Sequence, residues 1–174
     1  MKPNPNGVVR RVLAADWQAL RRLRLRALES DPLAFGSTLS EELGVPDQRW
    51  RDRATTGAES PTSGQWVAEE VSGELVGSIV VAEVGNQLYV FGMWVEPRLR
   101  GRGIGGRLLD TGLAWAAATF PGREVRLDVN PRQAGAVRLY ESRGFRRSGP
   151  DRPLGHTPGE SRYEMVREAP KRRH

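Results

Sequence analysis

Arg100-Gly101-Arg102-Gly103-Ile104-Gly105-Gly106 places four glycines in seven residues between two segments of different period. Before it, Gln87 to Val95 (QLYVFGMWV) reads as a strand that stops at Glu96-Pro97. After it, Leu109, Leu113, Ala116 and Phe120 recur at helical spacing, which predicts a helix from about Ile104 to Thr119. Glycines let a backbone take positive φ and pass close to a ligand. The free N–H groups of a helix's first turn form an anion site, and the helix dipole adds roughly half a positive charge there. Arg98, Arg100, Arg102 and Arg107 add positive field around the turn. A pyrophosphate suits such a cradle. A solvated Gly/Arg turn without a ligand is the plainer reading, but this glycine density costs folding entropy that a plain loop need not spend.

Gly101, Gly103 and Gly106 also match G-x-G-x-x-G, the dinucleotide fingerprint, with Asp128 about twenty residues further on. The context argues against it. That fingerprint opens a doubly wound parallel sheet, whereas Gln65 to Val71, Leu75 to Val84 and Gln87 to Val95 read as three strands joined by hairpin turns at Ser72-Gly73 and Gly85-Asn86.

Outward from there, Val8 to Leu13 reads as a strand, and Asp16 as the N-cap of a helix through about Glu29 that ends at Asp31-Pro32. Residues 31–40 read as loop, Pro46 to Ala54 as a short helix, and Thr55 to Gly64 as a polar loop. On the far side, Arg123 to Val129 is a strand, Gln133 to Arg143 a helix capped by Gly144, and Phe145 to Ser148 and Ser161 to Arg167 closing strands. The pattern is α+β, with one β-α-β crossover around the helix at 104–119. At 174 residues the chain suits a single domain over 1–174, with residues 1–7 and 169–174 as loose tails.

Composition removes several function classes. Cysteine is absent, so thiolate nucleophiles, thiolate metal sites and disulfides are excluded. The only histidines, His156 and His174, argue against a histidine metal site or a Ser/His/Asp triad, and no metal is expected. No apolar run approaches a membrane span, and MKPNPNGVVRR has no apolar signal core, so a cytoplasmic protein without membrane contact is expected. The net charge of +6 suits a polyanion, but only two of the 27 basic residues are Lys, as high-GC coding bias also gives. A nucleic-acid domain would interleave its arginines with exposed aromatics. Here they crowd the glycine turn and helix faces, so no nucleic-acid partner is expected.

Arg100-Gly101-Arg102-Gly103-Ile104-Gly105 resembles the acetyl-CoA motif Arg/Gln-x-x-Gly-x-Gly/Ala of the GNAT superfamily of N-acetyltransferases. MWVEP (Met93 to Pro97) is similar to that family's fourth strand and exit, and AVRLYESRGF (Ala136 to Phe145) to its second coenzyme A segment. The resemblance implies a mixed, mostly antiparallel, twisted β-sheet flanked by helices and splayed between its fourth and fifth strands. It implies acetyl-CoA as co-substrate, with pantetheine contacts on Met93, Trp94 and Val95 and pyrophosphate contacts on Arg100, Gly101, Arg102, Gly103, Ile104, Gly105 and Gly106. Many members place Asn where this chain has Gln133; Gln133 keeps a donor and an acceptor on a longer arm, and Asn130 stands nearby.

Acetyl transfer from a thioester to an amine needs a neutral amine, a polarised carbonyl and a proton for the leaving thiolate. By the resemblance, Tyr140 is the general acid, and Asp128 holds the position of a base. Tyr89, Glu41, Glu42 and Glu83 are further positions weighed for the base. Phe35, Gly36, Ser37 and Trp50 are expected to line the acceptor site or to pack in the core, and Trp94 to face the acceptor cleft. The expected function is acetyl-CoA-dependent acetylation of a primary amine, on a small molecule or a peptide N-terminus, by direct attack. The alternative is a non-catalytic acyl-CoA-sensing module of the same fold. Dimers are frequent in the family, so a homodimer is also entertained.

Overall fold

The computed structural model describes residues 7–169. Five helices and eight strands follow one another: β1 (Val8–Arg11), α1 (Trp17–Ser30), α2 (Leu39–Leu43), α3 (Asp47–Glu59), β2 (Ser63–Glu69), β3 (Leu75–Val84), β4 (Gln87–Val95), α4 (Ile104–Thr119), β5 (Val125–Val129), α5 (Ala134–Ser142), β6 (Arg146–Arg147), β7 (Arg152–Pro153) and β8 (Ser161–Arg167). The sheet order is β1-β2-β3-β4-β5-β8-β6, with β7 also on β8. Among the described residues only β4 and β5 pair in parallel, and α4 is the crossover between them.

The parallel pairing is short. Leu88 faces Val125 and Tyr89 faces Arg126, and beyond them the two strands separate. The backbone of β4 from Phe91 to Val95 therefore has no strand on its β5 side. A bulge sharpens the divergence: the register slips between Ser78 and Val80, and Gly92 takes φ +61°. Ser78 Oγ holds the bulge by donating to the Gly92 carbonyl, at 2.9 Å.

Strand alternation gives the sheet two apolar faces. On one, α4 buries Ile104, Leu108, Leu109 and Leu113 against Ile79, Val81, Leu88 and Leu127. On the other, α1 buries Leu20, Leu23 and Ala27 beside Val67, Leu75 and Trp94.

The segment between α1 and β2 departs from its sequence reading. Residues 39–43, read as part of a loop and its sequel, form α2. Thr38 and Glu41 make a reciprocal cap there: the Glu41 N–H donates to Thr38 Oγ1 (3.2 Å) and the Thr38 N–H to Glu41 Oε2 (2.7 Å). The first half of the stretch read as a polar loop from Thr55 to Gly64 is helical, because α3 runs on to Glu59, and its last two residues begin β2. Gly57 serves close packing rather than a turn, since an added Cβ would lie 2.7 Å from Gln65 Cβ and 3.1 Å from Val12 Cγ2. Asp16 precedes α1 but does not cap it with its side chain. Its carboxylate accepts from the Leu13 N–H (2.8 Å) and pairs with Arg10 (2.7 Å). Of the expected tails, residues 1–6 and 170–174 lie outside the described residues. Gly7 is buried, and a Cβ there would overlap the Glu69 carbonyl oxygen at 2.1 Å.

Candidate active site

Where β4 and β5 part, a cleft of about 1530 Å³ crosses the molecule. One end is walled by the β4 exit, the glycine turn and α5. The other lies over Ser78, Val80, Tyr89 and Phe91, between α1–α3 on one side and β5 and β8 on the other. The expected catalytic and cofactor-binding residues all line this cleft except Arg102, which is exposed; Glu41, Glu83 and Asn130 do not line it.

The glycine turn is built from its backbone. Gly101 (φ +76°) and Gly103 (φ +81°) are left-handed, and a Cβ on either would meet nothing within 4 Å, so the dihedral rather than crowding demands glycine. The first intrahelical bond of α4 runs from the Arg107 N–H to the Gly103 carbonyl (3.0 Å). The N–H groups of Gly103 to Gly106 therefore precede the helical ladder and are free to donate outward. Gly106 leaves room for the Arg143 guanidinium: a Cβ there would lie 2.6 Å from Arg143 Nη2, and Arg143 reaches past it to Asp110 (3.0 and 3.1 Å).

The arginines expected to supply positive field are largely engaged within the protein. Arg98 forks onto Glu70 (3.0 and 2.8 Å). Arg107 donates to the Gly7 carbonyl (3.1 Å). Arg100 forks onto Asp31 (3.2 and 2.6 Å) and donates through Nε to the Val95 carbonyl (2.9 Å). The cradle for a pyrophosphate is thus open, glycine-lined and rich in free N–H groups, a set that fits the anion without a side-chain cation.

Asp31, which the sequence marked only as the end of α1, joins the two ends of the site. Besides Arg100 it accepts from Trp94 Nε1 (2.8 Å), so the β4 tryptophan expected toward the acceptor side is fixed there by its indole N–H. Burial pushes the Asp31 carboxyl up, and the hydrogen bonds from Arg100, Ser30 and Trp94 outweigh it and hold it below the ordinary carboxylate range.

Tyr140 lies on α5 with its ring edge-on to Phe145, centroids 5.9 Å apart. It is 6% exposed, lines the cleft, and its hydroxyl bonds to no described residue. Burial pushes its phenol above the ordinary value, so it stays protonated at neutral pH. Gln133 stands at the start of α5 and lines the cleft. Asn130 braces the turn before α5 instead. It is buried, with Nδ2 on Glu160 (3.2 Å) and Oδ1 accepting from the Arg132 N–H (2.9 Å).

The carboxylates weighed as bases are all occupied. Asp128 accepts from Arg152 and lies 3.6 Å from Arg162 Nη1. Glu42 is buried between Arg53 (2.7 Å) and Arg24 (3.7 Å) and accepts from Ser37 (2.9 Å). Glu41 caps α2, and Glu83 pairs with Arg123. The Tyr89 hydroxyl donates to Gln87 (3.0 Å). Phe35 and Trp50 line the cleft and are also core, at 5% and 3% exposed.

A family model described as the acetyltransferase (GNAT) family matches residues 17–145, from the start of α1 to the end of the second coenzyme A segment. The chain belongs to the GNAT family of acetyltransferases. As a member it is an acyltransferase that takes acetyl-CoA as donor. Over 135 residues it is 31% identical to the N-alpha-acetyltransferase RimI of Mycobacterium tuberculosis, covering 75% of this chain and 83% of that one. It is 28% identical over 158 residues to the mycothiol acetyltransferase of Salinispora tropica, and the match covers 51% of that longer protein. An acetyltransferase of the family from Streptococcus pneumoniae shares the fold, with a TM-score of 0.78 at 22% identity over 92% of this chain and 98% of that one. The splayed mixed sheet, flanking helices and single crossover are thus the GNAT architecture. Among the described residues no helix is long and apolar enough to cross a membrane.

Proposed function

We propose that this GNAT protein acetylates the primary amine of a small molecule or a peptide N-terminus by direct attack, with Tyr140 as general acid. The observation that carries the reading is the Tyr140 hydroxyl: on a buried side chain, protonated, lining the cleft and hydrogen-bonded to no described residue. Acetyl-CoA supplies the thioester. The free N–H groups of Gly103 to Gly106 anchor its pyrophosphate. Met93, Trp94 and Val95, on the unpaired edge of β4, take the pantetheine arm together with Gln133. The Val95 carbonyl is already held by Arg100 Nε.

As the amine's C–N bond forms and the C–S bond breaks, the Tyr140 Oη–H protonates the leaving sulfur. The amine gives up its proton to water or, through a water, to Asp128, which lines the cleft and also pairs with Arg152 and Arg162. Holding both reactants in one cleft supplies much of the acceleration, so no enzyme nucleophile is needed. The test is Tyr140→Phe, which keeps the ring packed on Phe145. The expected result is a fall in kcat of about 10²-fold or more, with KM for acetyl-CoA and the melting temperature unchanged. Near-full kcat would sink the role of Tyr140. Acetyl-CoA binding without release of thiol to any amine would favour the sensing module instead.

A further inference from the structure

The acceptor end of the cleft holds more guanidinium than carboxylate. Arg24, Arg49, Arg53 and Arg162 line it, against Glu42, Asp52 and Asp128. Glu42 answers two of these arginines with one charge. Asp128 already accepts from Arg152, which leaves the Arg162 side chain with a 3.6 Å ion pair and no hydrogen bond to any described residue. The Arg162 Nε is buried and unpartnered. Its Nη1 would come within 3.8 Å of a Cβ on Gly36, so the guanidinium spans from β8 to the loop after α1. The side chain as a whole is 38% exposed, lines the cleft and has only that long ion pair, and a carboxylate is the ligand whose geometry a guanidinium fork matches.

The opposite charge stands beside it. Asp128 and Arg162 project from neighbouring strands onto the same face of the sheet, above a floor that includes Val80 and the 47% exposed Phe91. Asp128 and Arg162 face each other at 3.6 Å, a long ion pair that the ammonium and carboxylate of one amino acid can replace, the ammonium on Asp128 and the carboxylate on Arg162.

We propose that the acceptor is a zwitterion, a small primary amine carrying a carboxylate close to it, as in a free α-amino acid. Arg162 binds the carboxylate and Asp128 orients the amine. This rests on the acetyl-transfer reading above and narrows its acceptor. A polyamine, with positive charge only, meets a surplus of like charge here. A peptide N-terminus lacks the neighbouring carboxylate.

The experiment compares kcat/KM by thiol release for leucine, phenylalanine and methionine, for their amides, for phenethylamine, for spermidine and for a dipeptide with an acidic second residue. Each free amino acid is expected to exceed its amide by about tenfold or more, as a charged hydrogen bond would give. In Arg162→Gln the gap is expected to collapse through KM for the amino acid, with KM for acetyl-CoA and the melting temperature unchanged, and Arg162→Lys restores part of it. The inference is overturned if an amide, phenethylamine, spermidine or the dipeptide is used as well as the amino acids, or if Arg162→Gln leaves the ratio intact. In those outcomes acetyl transfer itself stands. If no amine releases thiol while acetyl-CoA still raises the melting temperature, the transfer reading fails, and this one with it.

Discussion

Gly103→Ala tests whether the glycine turn works through its backbone. Gly103 has φ +81° and ψ 2°, and a Cβ there meets nothing within 4 Å. Crowding therefore contributes nothing, and the whole effect is the left-handed conformation, about 1–2 kcal/mol for a residue with a Cβ. That strain has two outlets. If the turn keeps its shape, the folded state loses the full amount, and at this length each kcal/mol lowers the melting temperature by about 2–4 °C. If the turn relaxes, Gly101 to Gly106 lose their common aim, and KM for acetyl-CoA rises by up to about 5–30-fold. Melting curves with and without acetyl-CoA, together with thiol-release kinetics, measure both outlets. Gly103→Asn should recover part of the loss, because Asn tolerates the left-handed region better. The reasoning is refuted if Gly103→Ala changes neither quantity, or if Asn is no better than Ala.

Two further outcomes follow from the titrating groups. Burial raises the Tyr140 phenol above its ordinary value, so its proton is retained as pH rises, and kcat is expected to show no alkaline loss up to about pH 10. A fall centred below pH 9 that vanishes in Tyr140→Phe would contradict this. Asp31 has the opposite sign. Its folded carboxyl is held below the ordinary value, so its contribution is full above about pH 4 and fades as pH falls through the folded value. Because Arg100 is 46% exposed, the pair is worth about 1 kcal/mol or less. Asp31→Asn should lower the melting temperature at pH 7 by a few degrees, with the deficit shrinking as pH falls through the folded value; a deficit that does not shrink on acidification would remove the charge from the explanation.

The sequence was most readable where one rule acted alone. Ile104–Thr119 and Ser161–Arg167 were read to the residue, because their periodicity meets no competing demand. Gly57 misled, since glycine inside a helix reads as a break unless the strand packed against it is known. Thr38-x-x-Glu41 was a legible capping box that the proline and glycine of DPLAFGSTLS obscured. In the site, the residues adjacent in sequence were visible and the pairings were not. Asp31 meets Arg100 across 69 positions, and Arg162 meets Asp128 across 34, separations at which no local pattern survives. Arg100 shows this: its sequence neighbours suggested a phosphate ligand, and nothing near it in sequence pointed to the Asp31 carboxylate that its guanidinium also meets.

The short pairing between β4 and β5 also bears on how the molecule comes apart. Past Tyr89 and Arg126 the two halves of the sheet share no ladder among the described residues, so β5 to β8 are tied to the rest by two paired positions, by the apolar seam under α4 and by side-chain pairs such as Glu83–Arg123 and Asp110–Arg143. Such a boundary is where a protein opens as a unit at less than the full unfolding free energy. A ligand that touches both banks resists that opening by mass action, by about 1.4 kcal/mol for each tenfold rise in its concentration above the dissociation constant. The line along which the chain is easiest to part is also the line along which it binds, so amide exchange from β5 to β8 becomes a gauge of occupancy.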